Sequence, residues 1–518
     1  MKTRLIPAAL AAAALALAPP AMARPGERVT QIIVKPSDFH AAHAQRLSPA
    51  AMAPFVQSAG IGLEHVRSLG MQTQVLRLPR PMSVDEARAY AARLVADGVV
   101  LDAGPDARVY PAQVPNDPDY SKQWHFDTLV TGRSSGQNSY GLNLPPAWDV
   151  TTGGSQVVVA LIDTGIRPHM DIDADILDPT GRVVPGHDFI SDVPTANDGD
   201  GRDGDPRDPG DWVTSADAGT ADFSGCHVQD SSWHGTHLAG LLAAATNNGS
   251  GVAAIDWNAR LQPVRVLGKC GGLISDVIDG LRWAAGLPVG GAPANVTPAR
   301  VLNISFNGFG PCGSALQAAI DEVRAQRAVL VVAAGNEGGS AASYFPGNCS
   351  GVINVTATDR QGRLPSYSNT GSVVTLAAPG GDDLDHAAGA IYSTQNDGTT
   401  TPGADSYAWM IGTSMATAHV SGVASLILAV NPGLGPDEVR DILRQTATPF
   451  PSYSGCTTLT CGAGMVRADT AVQVAGGYVP PPPPAPATDG GGGGSLGLLP
   501  LAGLAGLALL RRRQARPR

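Results

Sequence analysis

The sequence Gly412-Thr413-Ser414-Met415-Ala416-Thr417-Ala418-His419-Val420 places a serine directly after a small, flexible Gly-Thr pair and before an apolar run. Apolar residues then recur at helical spacing up to Ile427, which predicts a helix with one face in a core. The first turn of such a helix leaves main-chain N–H groups unpaired and favours negative charge that develops beside it. Ser414 is therefore a candidate nucleophile, although serine is also a common N-cap residue of ordinary helices.

Three continuous apolar runs predict strands of a parallel sheet that helices cover on both faces. The runs are 157–162, 301–304 and 329–334, and helical patterns separate them. Ligands bind beyond the carboxyl ends of strands in such sheets, and Asp163 and Asn336 follow two of these runs. The sequence thus indicates an α/β fold with its chemistry at this edge.

A histidine opens another predicted helix, in the sequence His234-Gly235-Thr236-His237-Leu238-Ala239-Gly240. The apolar positions from Leu238 to Ala245 form a stripe on this helix. An exposed imidazole with an ordinary pKa near 6.5 suits general-base work, so His234 is the candidate base. Two histidines three residues apart could also bind zinc, but the glutamate of an HExxH motif is absent. We expect His237 to be structural.

Three motifs, Asp163-Thr164-Gly165, His234-Gly235-Thr236-His237 and Gly412-Thr413-Ser414-Met415-Ala416, occur in this order. Together they resemble the signatures of subtilisin-like serine proteases, over roughly residues 115–470. The resemblance implies a subtilisin-like, mostly parallel α/β fold and a serine endopeptidase that acts on proteins or peptides. It implies that Ser414 is the nucleophile, His234 the base and Asp163 its orienting partner. It also implies that Asn336 donates a hydrogen bond to the oxyanion.

Other parts of the resemblance are less complete. The stretch Ser305-Phe306-Asn307-Gly308, together with Gly335, resembles the lining of the primary specificity pocket, but Asn307 stands where the family commonly has glycine. The preferred substrate side chain therefore stays open. Thr417-Ala418 also replaces the usual Ser-Pro after the serine motif. A catalytically silent surface binding protein on the same fold is the rival reading, which the intact catalytic set disfavours.

The N-terminal part reads as an export signal followed by a small folded unit. Lys2 and Arg4 precede the apolar run 5–17 and a small-x-small site, which predicts a signal peptide over residues 1–23. The run is short for a transmembrane anchor, the alternative.

Residues 24–112 contain predicted strands at 31–34 and 73–78 and a helix at 83–97. The resemblance implies that they form a pro-segment that assists folding and inhibits the enzyme, whereas a permanent accessory domain is the alternative. The turn-rich stretch 115–120 is the expected boundary and cleavage region. The catalytic domain is then expected over residues 113–477.

An acidic loop lies between residues 189 and 212. Its carboxylates repel one another unless cations or solvent intervene. Oxygen ligands on flexible backbone suit Ca²⁺, and calcium sites are frequent in the resembled family, although no EF-hand pattern is present. We expect at least one structural calcium ion and no catalytic metal, with a solvated loop as the alternative. The candidate ligands are Asp192, Asp198, Asp200, Asp203, Asp205, Asp208 and Asp211.

The six cysteines all fall within the expected catalytic domain, and an even number in an exported protein predicts three disulfides. Other connectivities stay open, but sequential pairing is favoured because each pair then brackets one segment. The expected pairs are Cys226 with Cys270, Cys312 with Cys349, and Cys456 with Cys461.

The composition changes after residue 477. A Pro/Gly-rich linker over 478–494 leads into a hydrophobic tail, 495–518, that contains Arg511-Arg512-Arg513. This end resembles the Gly-Gly sorting tail of exported bacterial proteins, although a disordered tail is the alternative. The resemblance implies transient membrane contact, export and tail-processing machinery, and delivery to the cell surface or medium through a Gram-negative-type envelope.

The net charge and the length of the chain narrow the kinds of partner and the number of folded units to be expected. The formal net charge of −10 argues against nucleic acid as a partner, because nucleic-acid binders usually carry a basic face. A chain of 518 residues with 43% hydrophobic content is long enough to bury a large core and form more than one folded unit.

Overall fold

The computed structural model describes residues 28–38, 41, 45–70, 72–108, 113–127, 140–178, 180–383 and 389–477. The expected signal peptide, the Pro/Gly-rich linker and the hydrophobic tail lie outside these residues.

Residues 28–105 form a four-stranded antiparallel sheet with two helices, in the strand order β2-β3-β1-β4. The expected helix is present, and the hydroxyl of Ser83 caps it by accepting from the main-chain N–H of Glu86 at 3.1 Å. Ile32, Leu76 and Leu94 are fully buried in a core of this unit's own. The elements are β1 (Arg28–Pro36), α1 (Pro49–Ala59), β2 (Glu64–Leu69), β3 (Thr73–Ser83), α2 (Val84–Ala96) and β4 (Val100–Pro105).

The remaining strands form one seven-stranded sheet and two ribbons. They are β5 (Val158–Asp163), β6 (His187–Asp188), β7 (Arg260–Arg265), β8 (Val301–Ile304), β9 (Gly308–Phe309), β10 (Val329–Ala333), β11 (Tyr344–Phe345), β12 (Ile353–Thr358), β13 (Leu376–Pro379), β14 (Ile391–Asn396) and β15 (Asp405–Met410). The large sheet has the order β13-β12-β10-β8-β5-β7-β6, and every recorded pairing within it is parallel. The expected parallel sheet is therefore confirmed.

Helices cover both faces of this sheet, as expected. One core contains Leu161, Val331 and Val423, and the other contains Ile162, Val332 and Leu281. Alternate residues of one strand thus enter opposite cores. The helices are α3 (Leu144–Trp148), α4 (Val193–Ala196), α5 (Ser215–Ala218), α6 (His234–Ala243), α7 (Ile274–Ala284), α8 (Ser314–Ala325), α9 (Thr413–Val430), α10 (Pro436–Gln445) and α11 (Ala468–Gly477).

The helix α9 differs from the expected one-faced helix because it is buried on all sides from Thr413 to Leu428. It packs against β8, β10, β12 and α6. In the part of the chain that the structure describes, it is also the one helix with the length and hydropathy of a membrane span. Its burial within the domain accounts for that apolar composition.

Residues 113–127, which include the expected boundary stretch 115–120, pack into the large domain. The buried carboxylate of Asp117 accepts from the main-chain N–H groups of Asn247 at 2.9 Å and Asn248 at 3.2 Å. Further along, the indole of Trp124 donates to the carbonyl of Ala390 at 2.9 Å.

Three disulfides join segments of the large domain. They connect Cys226 to Cys270, Cys312 to Cys349 and Cys456 to Cys461, which confirms the sequential pairing.

Candidate active site

Asp163 and His234 meet where a strand ends and a helix begins. Asp163 is the last residue of β5, and His234 is the first residue of α6. Their Oδ1 and Nδ1 atoms are 2.8 Å apart, with the carboxylate fully buried and the imidazole 19% exposed. A carboxylate only accepts hydrogen bonds, so Nδ1 carries the proton and Nε2 is the free base of the neutral ring.

The charges around His234 favour its protonated form. Burial lowers the pKa of this imidazole, but the negative charges of Asp163, Asp211 and Asp208 outweigh burial and raise the pKa above its ordinary value. Asp163 acts through both its charge and its hydrogen bond. The site therefore stabilises an imidazolium.

Ser414 is the second residue of α9, so its main-chain N–H has no acceptor within the helix. Its hydroxyl donates to the carbonyl of Ser305 at 3.0 Å, and among the described residues it makes no hydrogen bond to His234. The residue is 6% exposed. The structure thus joins the expected aspartate and histidine directly but leaves the serine hydroxyl turned toward the end of β8.

Asn336 lies beyond β10 and is anchored to the start of α9. Its Oδ1 accepts from both the main-chain N–H and the hydroxyl of Thr413, each at 2.9 Å. This fixes the amide so that Nδ2 is the group left to donate, on an exposed side chain. Asn336 therefore holds a hydrogen-bond donor beside Thr413, the residue that precedes Ser414.

The five pocket candidates lie around the ends of β8 and β10. The hydroxyl of Ser305 donates to the carbonyl of Ser414 at 3.4 Å, Phe306 packs against the second core, and Gly308 begins β9. Gly335 has a φ of +105°, and a Cβ there would lie 2.4 Å from the amide nitrogen of Asn307. Only glycine fits this position.

Glu337 is a residue near the pocket that sequence reasoning did not select. Its carboxylate accepts from the Asn307 side chain at 3.1 and 3.2 Å and from the Asn369 side chain at 2.5 Å. The sequence feature that could have identified Glu337 is its position directly after Gly335-Asn336. Asn307, which stands where the family commonly has glycine, is thus hydrogen-bonded to a carboxylate beside the expected pocket.

The aspartates of the acidic loop do not converge on one point. Asp192 caps α4, Asp198 contacts Arg265, and Asp205 pairs with Arg207. Within the described ranges, no group of three or more His, Cys, Asp or Glu side chains has an arrangement that could hold a metal ion. The charges of Asp203 and Asp198 nevertheless raise the pKa of Asp200.

Two of the seven aspartates lie beside the candidate active site. The carboxylate of Asp208 accepts from the hydroxyl of Thr164 at 2.7 Å, and that of Asp211 accepts from the hydroxyl of Ser232 at 2.8 Å. Thr164 follows Asp163, and Ser232 precedes His234 by two residues. Burial and the charge of Asp211 raise the pKa of Asp208 to about 7.

His237 lies in the core, as expected. It is fully buried, and its Nε2 is 3.3 Å from the carbonyl of Ala408 on β15. Burial and the nearby charge of His234 lower its pKa to about 3, so it is neutral at physiological pH. The two histidines of the motif therefore have different environments.

A buried carboxylate that is hydrogen-bonded to a histidine is an arrangement that serine hydrolases use. The sequence profile of the Subtilase family, peptidase family S8, matches residues 154–478. The chain belongs to this family and is a subtilisin-like serine endopeptidase.

The relatives agree with this assignment. The chain is 43% identical over 427 residues to the extracellular protease of Xanthomonas campestris pv. campestris, covering 82% of this chain and 68% of the relative. It is 38% identical over 436 residues to the extracellular basic protease of Dichelobacter nodosus, covering 83% and 68%. A solved protease structure from Pseudoalteromonas arctica matches with a TM-score of 0.63 and 48% identity, over 70% of this chain and all of that chain. Both of these curated relatives are described as extracellular proteases.

Proposed function

We propose that this endopeptidase cleaves peptide bonds through an acyl-enzyme intermediate on Ser414, with His234 as the base, Asp163 as its partner and Asn336 as an oxyanion donor. The observation that carries the proposal is the 2.8 Å bond between Asp163 and His234. It supports the proposal because it leaves Nε2 as a base whose protonated form is stabilised. The family membership supports the same roles.

Acylation begins when the Ser414 hydroxyl turns from the Ser305 carbonyl to Nε2 of His234. Catalytic hydrogen bonds are often absent without substrate and form in the complex. Nε2 takes the hydroxyl proton while Oγ bonds to the substrate carbonyl carbon, and the oxyanion accepts from Asn336 Nδ2 and the Ser414 N–H. Asp163 stabilises the imidazolium.

The intermediate collapses when His234 returns this proton to the leaving amine and the C–N bond breaks. An ester between Ser414 and the acyl half of the substrate remains. Water then attacks this ester while His234 accepts one of its protons, and the proton returns to Ser414 Oγ as the acid product leaves. Each proton is thus carried by one atom, Nε2.

Covalent labelling tests the nucleophile. A serine-directed fluorophosphonate should add once to the purified wild-type enzyme, and tandem mass spectrometry should locate the adduct on Ser414. Ser414→Ala should give no adduct. An unlabelled wild-type protein with its fold intact would favour the rival function, a silent binding protein, which the protease relatives do not favour.

The pocket assignment is also a proposal. Ser305, Phe306, Asn307, Gly308 and Gly335 are proposed to line the primary specificity pocket, with Glu337 beside them. The hydrogen bonds from Asn307 to Glu337 support a polar side of this pocket. A peptide library read by mass spectrometry should show a changed preference before the scissile bond in Asn307→Gly, and an identical preference would remove Asn307 from the pocket.

Maturation is proposed to follow the domain order of the chain. The signal peptide 1–23 directs export, residues 24–112 act as folding aid and intramolecular inhibitor, and the tail 495–518 anchors transiently until processing machinery removes it. The separate core of residues 28–105 supports an independent unit. Mass spectrometry of secreted enzyme should find the pro-segment and the tail absent, and a C-terminus at Arg518 would exclude proteolytic sorting.

Structural calcium remains a proposal for the acidic loop. The repulsion among Asp198, Asp200 and Asp203 supports it, because a cation would relieve this repulsion. A ligand that binds only the folded state adds about 2.7 kcal/mol at a hundredfold excess over its Kd. Thermal inactivation should therefore accelerate in EDTA, and unchanged kinetics in protein shown to be metal-free would remove calcium from the proposal.

A further inference from the structure

The helix that begins at His234 is capped from outside the helix. The preceding residue, Trp233, has a left-handed φ of +49° and provides no side-chain cap. The first N–H groups of a helix lack internal acceptors. Here the hydroxyl of Ser232 accepts from the His234 N–H at 3.3 Å, and the hydroxyl of Thr164 accepts from the Gly235 N–H at 3.2 Å.

Each capping hydroxyl is oriented by a buried aspartate of the acidic loop. Ser232 donates to Asp211 at 2.8 Å, and Thr164 donates to Asp208 at 2.7 Å. The two carboxylate residues are only 7% and 1% exposed, respectively. A hydroxyl has one proton, so donating it to the carboxylate turns the oxygen's lone pairs toward the helix N–H groups.

The backbone around these contacts is closely packed. A Cβ at Gly235 would lie 2.0 Å from the carbonyl oxygen of Gly165, and one at Gly165 would lie 2.4 Å from that of Pro206. The N–H of Asp208 also donates to the carbonyl of Ile166 at 3.1 Å. The loop, the strand end and the helix start therefore form one packed unit.

We propose that Asp208 and Asp211 are positioning residues of the active site, which hold the start of the His234 helix against the strand end that carries Asp163. They act through the hydroxyls of Thr164 and Ser232 and do not touch the reacting atoms. The proposal rests on the proposed roles of His234 and Asp163.

This assignment differs from the calcium role expected for these two residues. Asp208 accepts from the Gly210 N–H at 2.9 Å in addition to Thr164, and Asp211 accepts from the Ser232 N–H at 2.6 Å in addition to its hydroxyl. Each of the four carboxylate oxygens thus already accepts a hydrogen bond from the protein. These contacts meet the needs of the buried carboxylates without a cation.

Two matched pairs of variants test the two aspartate–hydroxyl contacts. Asp208→Asn and Thr164→Val change the contact between Asp208 and Thr164. Asp211→Asn and Ser232→Ala change the contact between Asp211 and Ser232. Each should lower kcat by about 10–100-fold with KM within about twofold, because a small displacement of a catalytic group costs up to roughly 10²-fold. Thr164→Ser keeps the hydroxyl and should restore most of the rate.

Asp178→Asn is the matched control. The carboxylate of Asp178 accepts from the N–H and the hydroxyl of Thr180, both at 2.8 Å, at an exposed turn. It repeats the aspartate–hydroxyl contact away from His234. This variant should keep the wild-type kcat and pH profile.

The pH profile separates the direct effect of the Asp211 charge from the contact that Asp211 makes with Ser232. His234 faces the carboxylates of Asp163, Asp211 and Asp208 and the neutral His237. Removing the charge of Asp211 should lower the pKa of His234, so the acidic limb of kcat/KM should move to lower pH in Asp211→Asn. Ser232→Ala retains that charge and should keep the limb in place. If all four variants keep kcat within twofold of the wild-type value, the proposal is overturned.

Active-site titration with a fluorophosphonate supplies the concentration of competent enzyme for every rate. Wild-type protein that fails to label would contradict the proposed function itself, whereas labelled wild type with unaffected variants would contradict only the positioning role. If the aspartate variants do not fold, Thr164→Val and Ser232→Ala retain both carboxylates and decide the matter by their kcat.

Discussion

The helices that carry Ser414 and His234 begin in different ways. Ser414 lies in an eighteen-residue helix that starts after Gly412 and is buried along almost its whole length. His234 starts a ten-residue helix after a residue with left-handed backbone. Asn336 anchors the first helix directly, while hydroxyls held by Asp208 and Asp211 cap the second.

The difference shows how the two proposed catalytic side chains are held in place. The serine is positioned by a long buried helix whose apolar residues follow one another in the sequence. The histidine is positioned by contacts from a loop, a strand end and the β14–β15 ribbon, on which Thr394 donates to the carbonyl of Thr236 at 2.7 Å. We therefore expect the serine side to resist substitutions around it better than the histidine side.

Ser414→Ala gives the largest expected effect and tests the serine helix as the source of the nucleophile. The loss of kcat should be about 10⁶-fold, the magnitude known for the corresponding serine of subtilisin. The pro-segment should also stay attached, because self-cleavage needs the same hydroxyl. Gel analysis and peptide hydrolysis measure both, with Ser421→Ala on the same helix as the control. Normal processing of purified Ser414→Ala would contradict self-cleavage.

His234→Ala should lower kcat nearly as much as Ser414→Ala and tests the histidine helix. His237→Gln, three residues on, should mainly lower stability, since its ring is buried and neutral. A dead His237 variant with an intact fold, beside an active His234 variant, would reverse the assignment of the base.

The pH dependence of unfolding gives a second readout for His237. Its pKa is about 3 in the folded protein and near 6.5 when unfolded, so the unfolded state binds more protons between these values. Its contribution to stability is present above pH 6.5 and is lost as pH falls toward 3. The stability difference between Ser414→Ala and the same protein with His237→Gln should therefore shrink with falling pH. A difference independent of pH would show that folding does not lower the pKa of His237.

Substitution of Asn336 separates two contributions at the start of the serine helix. Asn336→Asp keeps an oxygen acceptor for Thr413 but loses the Nδ2 donor, and Asn336→Ala loses both. Both should lower kcat by about 10²–10³-fold, as for the corresponding asparagine of subtilisin. Only the alanine variant should also lose about 1 kcal/mol of stability, the usual value of a cap. Equal stability of the two variants would show that the contact to Thr413 is not a stabilising cap.

Much of the fold and catalytic set could be predicted from local sequence. Asp163, His234 and Ser414 each lie in a short motif next to a periodic apolar run. Three of the buried parallel strands, β5, β8 and β10, appear as continuous apolar runs because helices cover both faces of the sheet. Strands β2 and β4 were not predicted, because they are short and mostly only partly buried, and so lack a clear apolar pattern.

The support of the histidine could not be predicted in this way. Asp208 and Thr164 are 44 residues apart, and no spacing rule joins them. An aspartate that accepts from a distant hydroxyl looks the same in the sequence as one that binds a cation. The sequence therefore predicts calcium binding for all seven loop aspartates alike. Only the fold separates Asp208 and Asp211 from Asp198 and Asp200.

The disulfides sharpen the comparison on the histidine side. Cys226–Cys270 closes a 44-residue separation and tethers the segment after Trp212 close to Lys269, whose ammonium lies 4.9 Å from the Trp212 ring. Cys456–Cys461 spans only 5 residues. In the chain-entropy account, removing the first costs about 4 kcal/mol and removing the second about 2 kcal/mol, because a longer loop gains more freedom when unfolded. Denaturant unfolding of the paired cysteine-to-serine variants, in the Ser414→Ala background to prevent self-digestion, measures the difference. Equal losses would mean that native contacts, and not loop length, set the contribution of each disulfide to stability.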